Sequence, residues 1–155
     1  MKLIDGDIFL SDVPVIMHQC NCFHTMGAGF ALKLSNRYKE VSLADKNTPF
    51  GSKLKLGTCS VAEIKDGGNL RLVVNVYSQF GYGRKCETDY EAFSDGIEDA
   101  FYFLQAHFEG PVRVGVPYLM GCGLAGGDKN TILSIFEEKE KMFDGIEIEF
   151  YRLKR

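Results

Sequence analysis

Residues 18–30 read His-Gln-Cys-Asn-Cys-Phe-His-Thr-Met-Gly-Ala-Gly-Phe, a dense run of reactive side chains ahead of a glycine turn. His18 and His24 carry imidazoles whose ordinary pKa of about 6.5 suits an acid or a nucleophile near neutral pH. A histidine near a strand end serves equally as a satisfied core or rim residue. Asn21 offers donor and acceptor on one amide, which fits a sugar hydroxyl or a substrate carbonyl, or else buried backbone groups. His18, Cys20, Cys22 and His24 alternate, so an extended chain would put all four on one face, where a bend could gather them around zinc. A four-ligand zinc site normally draws on two separate segments, and Cys20 is more simply a small core residue. No metal and no cofactor is expected.

A second glycine-rich stretch, Met120–Asn130, reads MGCGLAGGDKN. Glycines let successive N–H groups point inward, and a helix N-terminus adds partial positive charge. The Gly27-Ala28-Gly29 turn and the Gly121–Leu124 turn could therefore clasp a diphosphate from two sides through main-chain amides. Neither matches the G-x-G-x-x-G fingerprint, and G-x-x-x-x-G-K-[ST] is absent. Cys122, between two glycines, could have a lowered pKa, but its backbone N–H is the simpler contribution. Asp128 could cap the following helix, activate water or orient a histidine. Tyr82 and Arg84, set among Gly81 and Gly83, could close over a bound group.

These segments need a scaffold that brings them together. Short apolar runs predict strands over Val15–Cys20, Thr58–Ile64, Leu70–Tyr77 and Val112–Val116. Ile146–Leu153 alternates at first, as an edge or half-exposed strand would, and Met1–Ile4 adds a short one. Between them, Tyr90, Phe93, Ile97, Phe101, Leu104 and Phe108 form one helical stripe, with Thr88 and Glu91 as a capping box. Ile132–Phe136 opens another helix, and Phe30–Tyr38 a third that Val41–Lys46 continues after a break. Strands alternating with helices predict an α/β domain, with Leu70–Tyr77 and Val112–Val116 parallel. Ligands of such sheets sit beyond the carboxyl ends of the strands. That rule puts residues 20–29, 78–88 and 117–128 on one rim.

The chain has 155 residues, 45% apolar and 25% charged, which suits one ordinary domain. A net charge of −3 gives no global positive field, so strong nucleic-acid binding is not expected. The five scattered cysteines suit reduced thiols rather than a disulfide framework. MKLIDGDIFL has no signal-peptide pattern, and no apolar stretch is long enough to span a bilayer. A soluble, cytoplasmic protein is the expectation.

Taken together, His18–Leu34, Gly121-Cys122-Gly123-Leu124 and the opening Asp5-Gly6-Asp7-Ile8 resemble the macrodomain family over nearly the whole chain. The resemblance implies a three-layer α/β/α fold around a mixed, largely parallel sheet of about six strands, and ADP-ribose or a derivative as ligand. By that resemblance Asp7, with Ile8, meets the adenine, and Tyr151 and Leu153 flank it. Asn21 faces the distal ribose. Gly27, Ala28, Gly29 and Phe30 form the first phosphate loop, and Gly121, Cys122, Gly123 and Leu124 the second. The closest branch includes ADP-ribose-1″-phosphate phosphatases and ADP-ribosyl-glutamate hydrolases. Ala31 and Ala125 stand where other branches carry aspartates, and Lys85 is displaced from the lysine of the glutamate-deconjugating branch. The phosphatase branch shares the His18–Cys22 run. The expectation is therefore a 1″-phosphatase using His18 or His24, Asn21 and Asp128. The alternatives are a non-catalytic reader, or a hydrolase that removes ADP-ribose from protein or nucleic acid.

Overall fold

The structure is a computed structural model that describes residues 1–82, 87–122 and 125–153. Six strands run in chain order as β1 (Lys2–Asp5), β2 (Val15–Cys20), β3 (Cys59–Asp66), β4 (Asn69–Tyr77), β5 (Val112–Pro117) and β6 (Ile146–Arg152). Four α-helices join them: α1 (Gly29–Arg37), α2 (Lys39–Lys46), α3 (Tyr90–His107) and α4 (Lys129–Met142). The sheet order is β1-β6-β5-β2-β4-β3. Every neighbouring pair is parallel except β3–β4, a hairpin at one edge. This is the mixed, largely parallel sheet of six strands that the resemblance implies.

Strand periodicity decides which face each side chain serves. On β2, Val15 and Met17 join the core under α3 and α4, whereas Ile16 joins the core under α1 and α2. His18 follows Ile16 by two residues and so faces the α1–α2 side, and Gln19 faces the other. On β4, Leu72, Val74 and Val76 pack toward α3, and Val73 toward α2. Asn75 and Tyr77 share the face of Val73. The register pairs His18 with Asn75 and Cys20 with Tyr77.

Two local expectations are corrected. β6 is not an edge strand, because it lies between β1 and β5. Its glutamates suggest exposure, but Glu149 is only 4% exposed, against the Tyr151 hydroxyl at 3.1 Å and Arg113 at 3.6 Å. The cap of α3 is Asp89, which accepts from the Ala92 N–H at 3.0 Å. Thr88 is buried instead, and its hydroxyl donates to the Gly121 carbonyl at 2.7 Å. β4 and β5 run parallel as expected, but β2 separates them. Among the described residues, no helix is long and apolar enough to cross a membrane.

Candidate ligand-binding site

β2, β4 and β5 are parallel, so their carboxyl ends share a rim, and a cleft opens there. A cavity of about 700 Å³ is walled by residues from all three ends and from the start of α1. A second, of about 400 Å³, lies toward β6 and the segment after β1. Phe30, Pro117 and Tyr118 line both, so the two are halves of one cleft.

The first wall is the turn between β2 and α1. Asn21 shapes it: its Nδ2 donates to Thr25 O at 3.0 Å and Thr25 Oγ1 at 2.6 Å, and its Oδ1 accepts from the Phe23 N–H at 2.8 Å. Asn21 is thereby a loop-shaping residue that also lines the larger cavity. Ala28, extended at φ −153°, precedes α1 and supplies no side-chain cap. Gly29 takes φ +59° with open space around it, a left-handed conformation that suits glycine. The first residues of α1 line the cleft, and among the described residues no side chain caps their amides.

The opposite wall, Pro117–Gly121, is a tight double turn. Met120 N–H donates to Pro117 O at 3.0 Å, and Cys122 N–H to Leu119 O at 2.8 Å. Leu119 sits at φ +63° and Gly121 at φ +82°. The positive φ favours glycine at 121, and a Cβ there would lie 2.7 Å from Gln19 Oε1 and displace that amide from its bonds. Gln19 is the hub beneath the turn. Its Nε2 donates to Gln79 Oε1 at 2.6 Å and Thr88 Oγ1 at 3.1 Å, and its Oε1 accepts from Ser78 Oγ at 2.9 Å. One glutamine at the end of β2 thus ties the segment after β4 to Thr88, whose hydroxyl continues the network to Gly121 O in the turn after β5.

In the smaller cavity, Asp7 caps a single 3-10 turn over Ile8–Leu10 by accepting from the Phe9 N–H at 2.9 Å. Buried Arg71 holds that segment from beneath, donating to Val13 O at 2.9 Å and Ile8 O at 3.3 Å. Phe9 stacks on Phe30 with centroids 5.5 Å apart, which joins the segment to α1. Tyr151 and Leu153 stand across from Ile8 in the same lining.

The electrostatics differ from the sequence expectation. Burial pushes the His18 pKa down to about 4, against the opposing hydrogen bond to Asn75, so His18 is neutral near pH 7. Burial first, then the Asp45 charge, pushes the Cys20 thiol up. Cys122 is pushed up rather than down, by burial and then by Asp128, and its N–H is engaged at Leu119. Asp128 caps α4, accepting from Thr131 N–H and Oγ1 at 2.9 Å each, and these bonds hold its carboxyl below the usual range. Of the three helices that follow β2, β4 and β5, α3 and α4 are each capped by an aspartate, Asp89 and Asp128, and α1 has no side-chain cap. Among the described residues, no three of His, Cys, Asp or Glu gather as a metal site.

In sequence, the chain is 39% identical over 90 residues to an uncharacterized 17.5 kDa protein of Enterobacteria phage T4. That match spans 56% of this chain and 58% of the phage protein's length. No family model matches the chain. In structure, it is similar to the macrodomain of Mycobacterium tuberculosis DarG, with a TM-score of 0.78 over 99% of this chain and 97% of that one, at 17% identity. The fold is that of a macrodomain. Thermosipho africanus DarTG, whose structure is a complex with ADP-ribose, is similar at a TM-score of 0.70 and 15% identity, over 97% of this chain and 41% of that one.

Within this macrodomain fold, the sequence-chosen residues divide. His18, Asn21, Gly27, Ala28, Gly29, Phe30 and Gly121 line the larger cavity. Asp7, Ile8, Phe30, Tyr151 and Leu153 line the smaller. His24, Cys122 and Asp128 line neither. The His24 ring is engaged instead with Thr48 O at 2.7 Å. Gly123, Leu124, Arg84 and Lys85 lie outside the described residues. The sequence reading missed Gln19, Gln79 and Thr25. Their one local signal is position, since Gln19 and Gln79 fall at the carboxyl ends of β2 and β4.

Proposed function

We propose that this chain binds ADP-ribose or a close derivative in the bipartite cleft. The observation that carries the reading is the meeting of the two cavities at Phe30, Pro117 and Tyr118, beside the uncapped start of α1. An elongated ligand with an anionic middle suits that geometry. The diphosphate would rest between the amides of Gly27–Phe30 and the turn at Gly121, where helix polarity and main-chain donors favour negative charge without a lysine or arginine. The adenine would enter the smaller cavity between Ile8, Tyr151 and Leu153, with its amino group donating to Asp7. The distal ribose would reach Asn21. The ADP-ribose in the Thermosipho africanus structure supports this choice among nucleotides. Calorimetry tests it. ADP-ribose should bind at least tenfold more tightly than AMP, and equal affinity for the two would refute the two-cavity arrangement.

A second reading adds turnover at the distal ribose, with ADP-ribose-1″-phosphate as substrate. It is favoured by the polar end of the larger cavity, where Asn21, Thr25 and Gln79 stand beside the exposed Tyr82. Water would attack phosphorus, the bond from phosphorus to the C1″ oxygen would break, and the leaving hydroxyl would take a proton. Among the described residues, this cavity has no Asp, Glu, Lys or Arg in its lining, and His18 is neutral. The proton would then come from solvent or from the substrate phosphate, not from His18 or Asp128. Binding without turnover is accordingly the better supported reading. Phosphate release from ADP-ribose-1″-phosphate separates the two. The four described cysteines, Cys20, Cys22, Cys59 and Cys122, are free thiols, which supports an intracellular setting.

A further inference from the structure

The two halves of the cleft differ in charge, and the difference runs against their assigned contents. Among the described residues, the larger cavity has no lysine or arginine in its lining. The smaller, proposed for the adenine, is lined by Lys33 and Arg152. Adenosine is uncharged, so nothing in that assignment uses a cation. A third cation stands close by. Lys129, the first residue of α4, places its ammonium 5.7 Å from the centre of the Tyr118 ring, and the Arg152 guanidinium lies 5.7 Å from the same centre. Tyr118 lines both cavities and is held in place. Its N–H donates to Tyr151 O at 2.9 Å, and its ring meets Phe150 edge-on with centroids 6.3 Å apart. The neighbouring carboxylates do not cancel this charge. Asp5 accepts from Arg152 at 2.8 Å, Asp7 caps the 3-10 turn, and Asp128 caps α4. Lys33 and Lys129 are exposed, and neither has an ion-pair partner among the described residues.

Resting on the ADP-ribose reading, we infer that the junction beside Tyr118 receives a further phosphate, carried as a monoester on the 2′- or 3′-oxygen of the adenosine ribose, with Arg152 and Lys129 as its partners. An adenine in the smaller cavity and a diphosphate at the start of α1 leave the ribose between them at Phe30, Pro117 and Tyr118, where the two cavities meet. A monoester there is dianionic near neutral pH. A guanidinium grips such a group through paired N–H donors, and an ammonium adds a mobile point charge. Main-chain amides already suit the diphosphate, so these side chains answer a charge that unmodified ADP-ribose lacks. Lys33 belongs to the α1 bank, opposite Tyr118, and adds only to the local field. With a net charge of −3, the protein as a whole does not attract anions, so the selectivity is confined to this junction.

The test is calorimetry with four ligands: ADP-ribose, 2′-phospho-ADP-ribose, and ADP carrying a phosphate on its 2′- or 3′-oxygen, with plain ADP as reference for the last two. A phosphate on the adenosine ribose should tighten binding about tenfold, the gain expected of one charge-assisted contact. Whether the 2′ or the 3′ compound of ADP shows the gain identifies which ester the junction takes. Raising salt should shrink the gain. Lys129→Ala should reduce it to threefold or less while leaving ADP-ribose affinity unchanged, Lys129→Arg should keep it, and Arg152→Gln should lower it independently. No gain for either ester, a gain that survives both Lys129→Ala and Arg152→Gln, or one lost with Lys33→Ala alone would each overturn the inference. So would an equal loss of ADP-ribose affinity in Lys129→Ala, which would assign the cation to the diphosphate. If ADP-ribose fails to bind while a phosphorylated ADP binds and depends on Lys129, the junction stands and the ADP-ribose reading falls. If ADP-ribose binds and the extra phosphate adds nothing, the reading stands and the inference falls. If none of the four binds, both fall.

Discussion

The Asn75 amide oxygen lies 2.5 Å from His18 Nε2, across the aligned β2–β4 pair. Asn75 Nδ2 is directed at Val41 O and Ser60 Oγ, so the oxygen is the atom left for His18. Nε2 therefore carries the proton, and the neutral ring is locked in one tautomer. The pair joins the back of the ligand cleft to α2. It also makes His18 a pH-dependent element of stability.

Burial holds the folded-state pKa of His18 at about 4, below its ordinary 6.5. The unfolded chain therefore takes up the proton first as pH falls. The stability this group allows is intact above about pH 6.5 and declines toward pH 4, by about 3 kcal/mol in all. Urea melts at pH 7 and pH 4.5 should differ accordingly. His18→Gln should flatten that difference; an unchanged slope would show that His18 is not the group that titrates.

Two glycines should separate folding from binding. A Cβ on Gly127 would lie 2.5 Å from the Gly121 carbonyl, so Gly127→Ala should destabilise by about 2 kcal/mol and weaken ADP-ribose binding as the turn shifts. Gly27 has nothing within 4 Å of a built Cβ. Gly27→Ala should leave the melt within about 0.5 kcal/mol yet lower ADP-ribose affinity severalfold, since the methyl would enter the space proposed for the diphosphate. Chemical denaturation alongside calorimetry reads both effects.

Asp128 is expected to act on α4 alone. Asp128→Ala removes the acceptor for Thr131 N–H, so Tm should fall by a few degrees. Asp128→Asn or Asp128→Ser should restore most of it. ADP-ribose affinity, and any phosphate release, should stay at wild-type level in all three. A loss of activity at unchanged Tm would return Asp128 to the chemistry.

Asp45 and Lys55 form a buried pair 4.0 Å apart, 2% and 3% exposed at the side chain. Tyr77 donates its hydroxyl to Asp45 at 2.8 Å, and Lys55 Nζ has no hydrogen-bond partner among the described residues. Lys55→Met leaves a buried carboxylate uncompensated and should cost about 3 kcal/mol, with Asp45→Asn alone similarly costly. The double variant should lose much less than the two together. Additive losses in a double-mutant cycle would show that the two charges do not interact.

How much of this was legible follows the range of the interactions. The strand predicted over Val15–Cys20 has those bounds in the structure, because its signal, the apolar start Val15–Met17, is local. The shared rim followed from strand order alone. Glu149 misled because its burial depends on Arg113, which lies on the neighbouring strand. The type of His18 suggests titration near neutrality, and the packing that buries it comes from distant segments; the bond to Asn75, 57 residues away, acts in the opposite direction. For Asp128 and Cys122 the residue type suggests reactivity as well as a cap and a turn amide, and only the structure shows the cap on Thr131 and the bond to Leu119 O. Gln19 gives no distinctive local signal, because its role rests on Ser78, Gln79 and Thr88, about sixty to seventy residues away.

The bare beginning of α1 has one more consequence. Among the described residues no side chain caps Gly29, Phe30 and Ala31, so their amide hydrogens are left to solvent or to a ligand. An arriving phosphate would supply the missing acceptor and complete the helix from outside. Occupancy would then register first as slowed amide exchange at these three positions, and the affinity of the ligand would carry part of the folding energy of the helix that meets it.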